Sequence, residues 1–248
     1  MSVSFGVSSR LSGKAVEVGR VKALWRYPVK SMGAESLSQA EVSWHGVAGD
    51  RRWAFVRDGM VRSGFPWLTI RERADLSHYL PSFLEPTEPD ASPTLVRTPR
   101  GQQFDVVDAA LAADLGGGVR AIKCNRGIFD TFPLALLSTQ TLASLGAVVH
   151  NTLDPMRFRP NILIEASGAA AFPEDAWVGA VLRIGGAEIR ADKRDQRCVV
   201  VNIDPRTSER DSAILRAIGR ERQACLGIYG STVAPGTVAV GDPVLLFA

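Results

Sequence analysis

Val181-Leu182-Arg183-Ile184-Gly185-Gly186-Ala187-Glu188-Ile189-Arg190 decides the architecture of this chain, because apolar residues alternate with polar ones on both sides of a two-glycine turn. That pattern is a β-hairpin. The strand after the turn continues through Asp192-Lys193-Arg194-Asp195-Gln196-Arg197 to Cys198, and Val199-Val200-Val201 then reads as a buried strand. Lys193, Arg194 and Arg197 surround one thiol with positive charge. Such a field favours the thiolate, the form that attacks electrophiles and binds metals. A lone cysteine entering a strand is equally often a small buried apolar residue, so the rest of the chain has to decide.

Short strands recur on both sides of this hairpin. Residues 16–27 and 40–44 are rich in β-branched and aromatic side chains, and residues 46–56 pass from a glycine turn into a strand headed by Arg51 and Arg52. Those two arginines must face opposite sides, so at most one shares a pocket with Lys30. Residues 94–107 resemble a hairpin around Pro99-Arg100-Gly101, residues 132–137 and 162–164 are apolar runs, and residues 235–246 form two short strands joined by Gly241-Asp242-Pro243. Helical signals are fewer. Residues 71–80 read as a short helix, Asp108 caps one running to Leu115, Ser138 caps one that stops at Gly146, and residues 208–224 form the only long one. The proline-rich residues 81–93 read as a surface loop. The expected fold is mainly β with peripheral helices (α+β), a β-barrel preceded by a smaller β-rich domain. Gly116-Gly117-Gly118 lacks the Lys-Ser/Thr of a phosphate loop and reads as a connector, which places a domain boundary near residues 116–130.

With 248 residues, 46% hydrophobic and 22% charged, the composition is that of a globular protein of one large or two modest domains. A net charge of +3 spread over dispersed arginines implies no nucleic-acid partner, though it suits a small anionic ligand. Residues 1–13 are too polar for a signal peptide, and no apolar run of about 18 residues follows, so the expected location is cytoplasmic with no membrane attachment. Three scattered cysteines and three unpaired histidines supply neither a disulfide framework nor a zinc or iron–sulfur site. Any metal must therefore bring most of its own ligands. Anion-binding candidates do exist: Lys30-Ser31 beyond Pro28, the helix start at Ser138-Thr139, and Arg157-Phe158-Arg159-Pro160-Asn161, where alternate arginines share a face.

Tyr27-Pro28-Val29-Lys30-Ser31, Gly49-Asp50-Arg51-Arg52-Trp53, Leu136-Leu137-Ser138-Thr139, Arg157 to Asn161, Arg197-Cys198 with Asp204-Pro205 beyond it, and Pro235 to Val244 stand in the order found in MOSC proteins. From about residue 17 onward the chain resembles the two-part type, in which an N-terminal MOSC β-barrel domain (here 17–115) precedes a MOSC domain (116–248). The mitochondrial amidoxime-reducing component and bacterial YcbX-like proteins are of this type. The resemblance implies a molybdenum cofactor, Mo-molybdopterin, in a cleft between the domains, with Cys198 as metal ligand and catalytic residue. Lys30, Ser31 and Arg51 would hold its phosphate; Ser138, Thr139, Arg159, Asn161 and Arg197 would complete the grip. Asp195 or Gln196 would orient substrate or water. The implied activity is reduction of small N-hydroxylated compounds, with electrons from a separate flavoprotein or iron–sulfur protein, since no iron–sulfur segment follows Phe247-Ala248. The chain departs from the amidoxime reductases at Gln196, where they carry a small hydroxyl residue, and at Arg52, where they carry an aromatic. Two other readings share the same thiol: a sulfur carrier with a persulfide on Cys198, and a molybdopterin-binding protein without turnover.

Overall fold

The computed structural model describes residues 14–60 and 62–247; residues 1–13, read above as too polar for a signal peptide, lie outside them. In chain order the first half contains β1 (Val16–Arg26), β2 (Glu35–Leu37), β3 (Gln39–Ser43), β4 (Gly46–Val47), β5 (Trp53–Arg57), β6 (Leu80–Phe83), β7 (Thr94–Arg97), β8 (Gln103–Asp105), α1 (Ala109–Asp114) and β9 (Val119–Lys123). The second half contains β10 (Leu134–Ser138), α2 (Thr139–Val149), β11 (Ile162–Ala166), β12 (Val181–Ile184), β13 (Ala187–Gln196), α3 (Ser212–Arg222), β14 (Cys225–Ala234), β15 (Gly236–Ala239) and β16 (Pro243–Phe247). The protein is mostly β, as expected, and seven strands close into a barrel in the order β11-β10-β14-β13-β12-β16-β1.

The hairpin of β12 and β13 forms in the register its glycines dictate, with Ile184 opposite Ala187. Closure depends on β1, whose 11 residues pair antiparallel with both β16 and β11. Gly19 is where β1 meets β11: a Cβ there would lie 2.6 Å from the Glu165 carbonyl oxygen, so only glycine lets the seam close. The barrel interior is filled by Val21, Leu24, Leu134, Leu136, Ile162, Ile164, Leu182, Ile189, Ile228 and Val244. All five residues of β10 are buried, because α2 and α3 cover its outer face, with Leu145, Ile214 and Ile218 in one cluster with Leu137 of β10 and Leu163 of β11. Double burial is why this strand reads as an unbroken apolar run.

A second core, built on Val29, Met32, Phe55, Leu76, Tyr79, Val96, Val106, Leu111 and Leu115, makes a smaller lobe on one side of the barrel. Both cores draw residues from each side of position 115. Val21, Leu24, Ala40, Val42 and Val47 belong to the barrel core, β3 pairs with β15, and β9 pairs with β5 inside the smaller lobe. The glycine triplet is thus a turn within that lobe. Strand pairing is non-local, and a flexible tripeptide marks a turn without revealing which sheet the next strand joins.

Local readings changed where a tertiary partner was absent or unforeseen. Val199–Asn202 is a 3-10 helix instead of a strand: Gln196 pairs with Cys225 at the start of β14, so no partner edge extends further, and Val199 is exposed. Residues 80–83, expected to bridge helix and loop, form an edge strand on β7 in which buried Pro81 needs no ladder donor. The helix read over residues 71–80 is a 3-10 turn, Ala74–His78. Helix α2 runs past Gly146 to Val149, since that glycine admits the Asn151 carbonyl, 2.7 Å from where a Cβ would sit. Helix α3 starts later than residue 208, because Asp204 ties the Arg206 and Thr207 amides into a turn and Asp211 caps the helix.

Candidate functional site

A cavity of about 410 Å³ opens between the barrel and the smaller lobe, within the usual range of small-molecule sites. Its walls bring together Lys30, Ser31, Arg51, Arg159, Asn161, Asp195, Gln196, Arg197 and Cys198. Two loops that β1 and β5 hold side by side supply the first three. Pro28 ends β1, the Lys30 amide donates to the Trp53 carbonyl (2.7 Å), the Arg51 amide donates to the Tyr27 carbonyl (2.7 Å), and Asp50 accepts from the Tyr27 amide (2.7 Å). As expected, Arg51 and Arg52 diverge: Arg51 faces the cavity, while Arg52 turns away to Asp90 and the Asn125 carbonyl. On the barrel side, Asp154 and Pro155 start a 3-10 turn whose end swings Arg159 inward. Fully buried Asn161 accepts from the Ala135 amide (3.2 Å) and donates to the Trp25 carbonyl (3.2 Å), locking that turn to β10 and β1.

The backbone is strained where function would sit. Ser31, Arg51 and Arg159 have φ of 69°, 50° and 53°, each a conformation costing about 1 kcal/mol or more for a residue with a Cβ.

The charge balance is one-sided. Lys30, Arg51, Arg71, Arg157, Arg159, Lys193 and Arg197 line the cavity against Asp130 and Asp195. Burial pulls the Lys30 ammonium below its ordinary pKa despite its bond to Asp130 (2.5 Å). Arg159 donates to the Met32 carbonyl (2.8 Å) and lies 4.2 Å from the Tyr27 ring centroid. Burial, reinforced by Arg51, pushes it down to about 10. The Asp195 carboxyl is raised by burial, with Arg197 at 2.9 Å opposing. Arg157 Nε, Arg159 Nη2, Arg197 Nη2 and Asp195 Oδ1 are buried without a hydrogen-bond partner. Unpaired buried donors on cations are costly, and an anion in this cavity would satisfy those that face it.

Cys198 stands exposed just past the end of β13. Its flanking cations are not the ones the sequence put beside it. Arg194 turns to Asp175 and the Arg222 carbonyl, and Arg197 to Asp195 and the Leu226 and Phe158 carbonyls. The guanidinium on the thiol is Arg71 of the smaller lobe, Nη2 to Sγ 3.4 Å. Sequence reading missed Arg71 and Asp130, since only the packing of two lobes makes them neighbours of Cys198. Ser138 and Thr139 do not line the cavity. Ser138 is fully buried, caps the Thr141 amide (3.0 Å) and donates to buried Glu174 (2.6 Å), so its helix start is already satisfied.

No group of three His, Cys, Asp or Glu side chains among the described residues is placed to hold a metal ion. The cavity instead fits an anionic group that brings its own metal ligands: three buried guanidinium nitrogens lack acceptors, and one exposed thiol is free to add a ligand. No helix among the described residues is long and apolar enough to cross a membrane.

Residues 18–105 match the family described as the MOSC N-terminal beta barrel domain, and residues 125–245 match the MOSC domain. The mitochondrial amidoxime-reducing component 1 of Mus musculus is 26% identical over 93% of this chain and 83% of its own length. The component 2 of Bos taurus is 25% identical over 92% and 83%. Among solved structures, the YUAD protein from Bacillus subtilis superposes with a TM-score of 0.53 at 12% identity, covering 95% of this chain and 98% of its own, which supports the fold alone.

Proposed function

The chain belongs to the MOSC proteins, with the N-terminal and MOSC domains in sequence, and from that premise we propose that it is a molybdenum-cofactor oxidoreductase reducing small N-hydroxylated compounds. One observation carries this reading: the cavity sets seven cations, three with unpaired buried donors, around an exposed thiol. Arg51, Arg159 and Arg197, with Lys30 and Ser31, would hold the phosphate and pterin, and Cys198 would ligate the metal. Bound there, the cofactor supplies a soft, sulfur-ligated metal able to exchange two electrons.

The reaction balances as N–O cleavage: two electrons and two protons convert the N-hydroxyl group to N–H and release water. We assign the electrons to a separate flavoprotein or iron–sulfur protein. Asp195, paired with Arg197 at the cavity wall, or Gln196, exposed at the same wall, would orient substrate or water. We also assign the protein to the cytoplasm, which cell fractionation tests.

The deciding experiment measures molybdenum and pterin in protein made in a cofactor-producing host, wild type against Cys198→Ser. Near-equal metal and pterin in the wild type, loss of metal in the variant, and reduction of benzamidoxime with a chemical reductant support the reading. A persulfide on Cys198 with no molybdenum would replace it with sulfur transfer; bound cofactor without reduction would replace it with cofactor storage.

A further inference from the structure

Most of the cavity's deep cations are committed to fixed partners: Lys30 to Asp130, Arg51 to Asp50, and Arg197 to Asp195. Arg71 and Lys193 differ. Arg71 reaches in from the smaller lobe with its side chain 32% exposed, and its Nη2 lies 3.4 Å from Cys198 Sγ and 3.2 Å from Asp130. Asp130 already serves Lys30, so one carboxylate faces two cations and a positive charge is left over. The Arg71 backbone is held from the barrel side by Arg210, which donates to its carbonyl (2.9 Å), and its guanidinium lies 5.3 Å from the Phe65 ring centroid. Lys193 comes from β13 of the barrel, is exposed, and has no ion pair among the described residues. Its ammonium sits 5.4 Å from the Phe132 centroid, and Phe132 stacks on Tyr229 at 5.8 Å.

Each lobe therefore presents to the cavity a partly or fully exposed cation resting on an aromatic ring, and Arg71 touches the thiol that the proposed function places on the metal. We infer that Arg71 and Lys193 set substrate specificity, selecting N-hydroxylated aromatic compounds that also carry a carboxylate or phosphate. The anion pairs with Arg71 or Lys193 while the ring lies against Phe132, which lines the cavity. Arg71, the better placed, offers a planar fork matched to carboxylate and phosphate oxygens. The inference rests on the reductase reading, but the anion site it describes is testable apart from turnover.

The test compares benzamidoxime with 4-carboxybenzamidoxime on metal-loaded protein, by kcat/KM with a chemical reductant and by calorimetric affinity without one. Variants are Arg71→Gln, Lys193→Gln, the double variant and Arg71→Lys. Both side chains reach solvent and the Arg210 contact is to backbone, so the fold is kept. The carboxylate should be preferred by about tenfold or more in both readouts, with the preference reduced by each single change, near one in the double variant, and partly kept in Arg71→Lys. It should also shrink at high salt. Equal affinity for the two compounds in the wild type, or a preference that survives in the double variant, would overturn the inference. Reduction of neither compound, alongside Arg71-dependent binding of the carboxylate, would remove the reductase reading and leave the anion site standing.

Discussion

Replacing Arg159 by methionine should stabilise the ligand-free protein while removing its response to anions. The drop of the Arg159 guanidinium from 12.5 to about 10 corresponds to roughly 3 kcal/mol by which folding disfavours the charged form. For a base whose folded pKa is depressed, that penalty is complete below the folded value and is relieved only as pH rises toward the unfolded one. At pH 7 all of it is present. Methionine fills similar volume without the charge but forfeits the bond to the Met32 carbonyl (2.8 Å), a loss of about 1–2 kcal/mol. The balance is a gain of about 1–2 kcal/mol, or roughly 2–8 °C in Tm for a chain of this size. Urea unfolding followed by tryptophan fluorescence reads the first half of the expectation. The second half is read by melting in inorganic phosphate: an anion held at a concentration 100 times its Kd stabilises the wild type by about 2.7 kcal/mol, and the variant should lose most of that shift. A variant less stable than wild type by more than 1 kcal/mol, or one that keeps the full phosphate response, would refute the argument that the cavity holds Arg159 at a cost for the sake of a ligand.

Asp50 is fully buried and serves both the Tyr27 amide and Arg51. Asp50→Ala should therefore cost about 3–5 kcal/mol, and Asp50→Asn, which still accepts from the amide, distinctly less; equal losses in urea unfolding would discount the charge. Gly236→Ala should destabilise the β3–β15 edge by at least about 1–3 kcal/mol, because its Cβ would lie 2.2 Å from the Gly186 carbonyl, and an unchanged Tm would show that the two glycine turns part easily. Cys198→Ser, by contrast, alters an exposed residue and should move stability by no more than about 0.5 kcal/mol, so metal loss in that variant cannot be ascribed to unfolding.

Local chemistry was enough for much of this protein. The alternation around Gly185-Gly186, the caps Asp108 and Ser138, and the apolar runs that become β10 and β11 all declare themselves within about ten residues, since period and turn geometry are local properties. The motif order placed Lys30, Ser31, Arg51, Arg159, Asn161, Asp195, Gln196, Arg197 and Cys198 at a site, and the fold brings these to one cavity. Ser138 and Thr139 have the same local signature, a capped helix start, but lie outside the cavity wall, where Ser138 bonds to Glu174 and caps the Thr141 amide. What only the tertiary structure decided is partnership across distance. Strand β1 joins the barrel instead of the lobe whose residues follow it, Val199–Val201 finds no sheet edge, and Arg71, 127 positions away in sequence, becomes the cation on Cys198. Hydrogen-bond ladders and ion pairs are formed between whichever groups packing brings within about 3 Å, and sequence separation has no bearing on that distance.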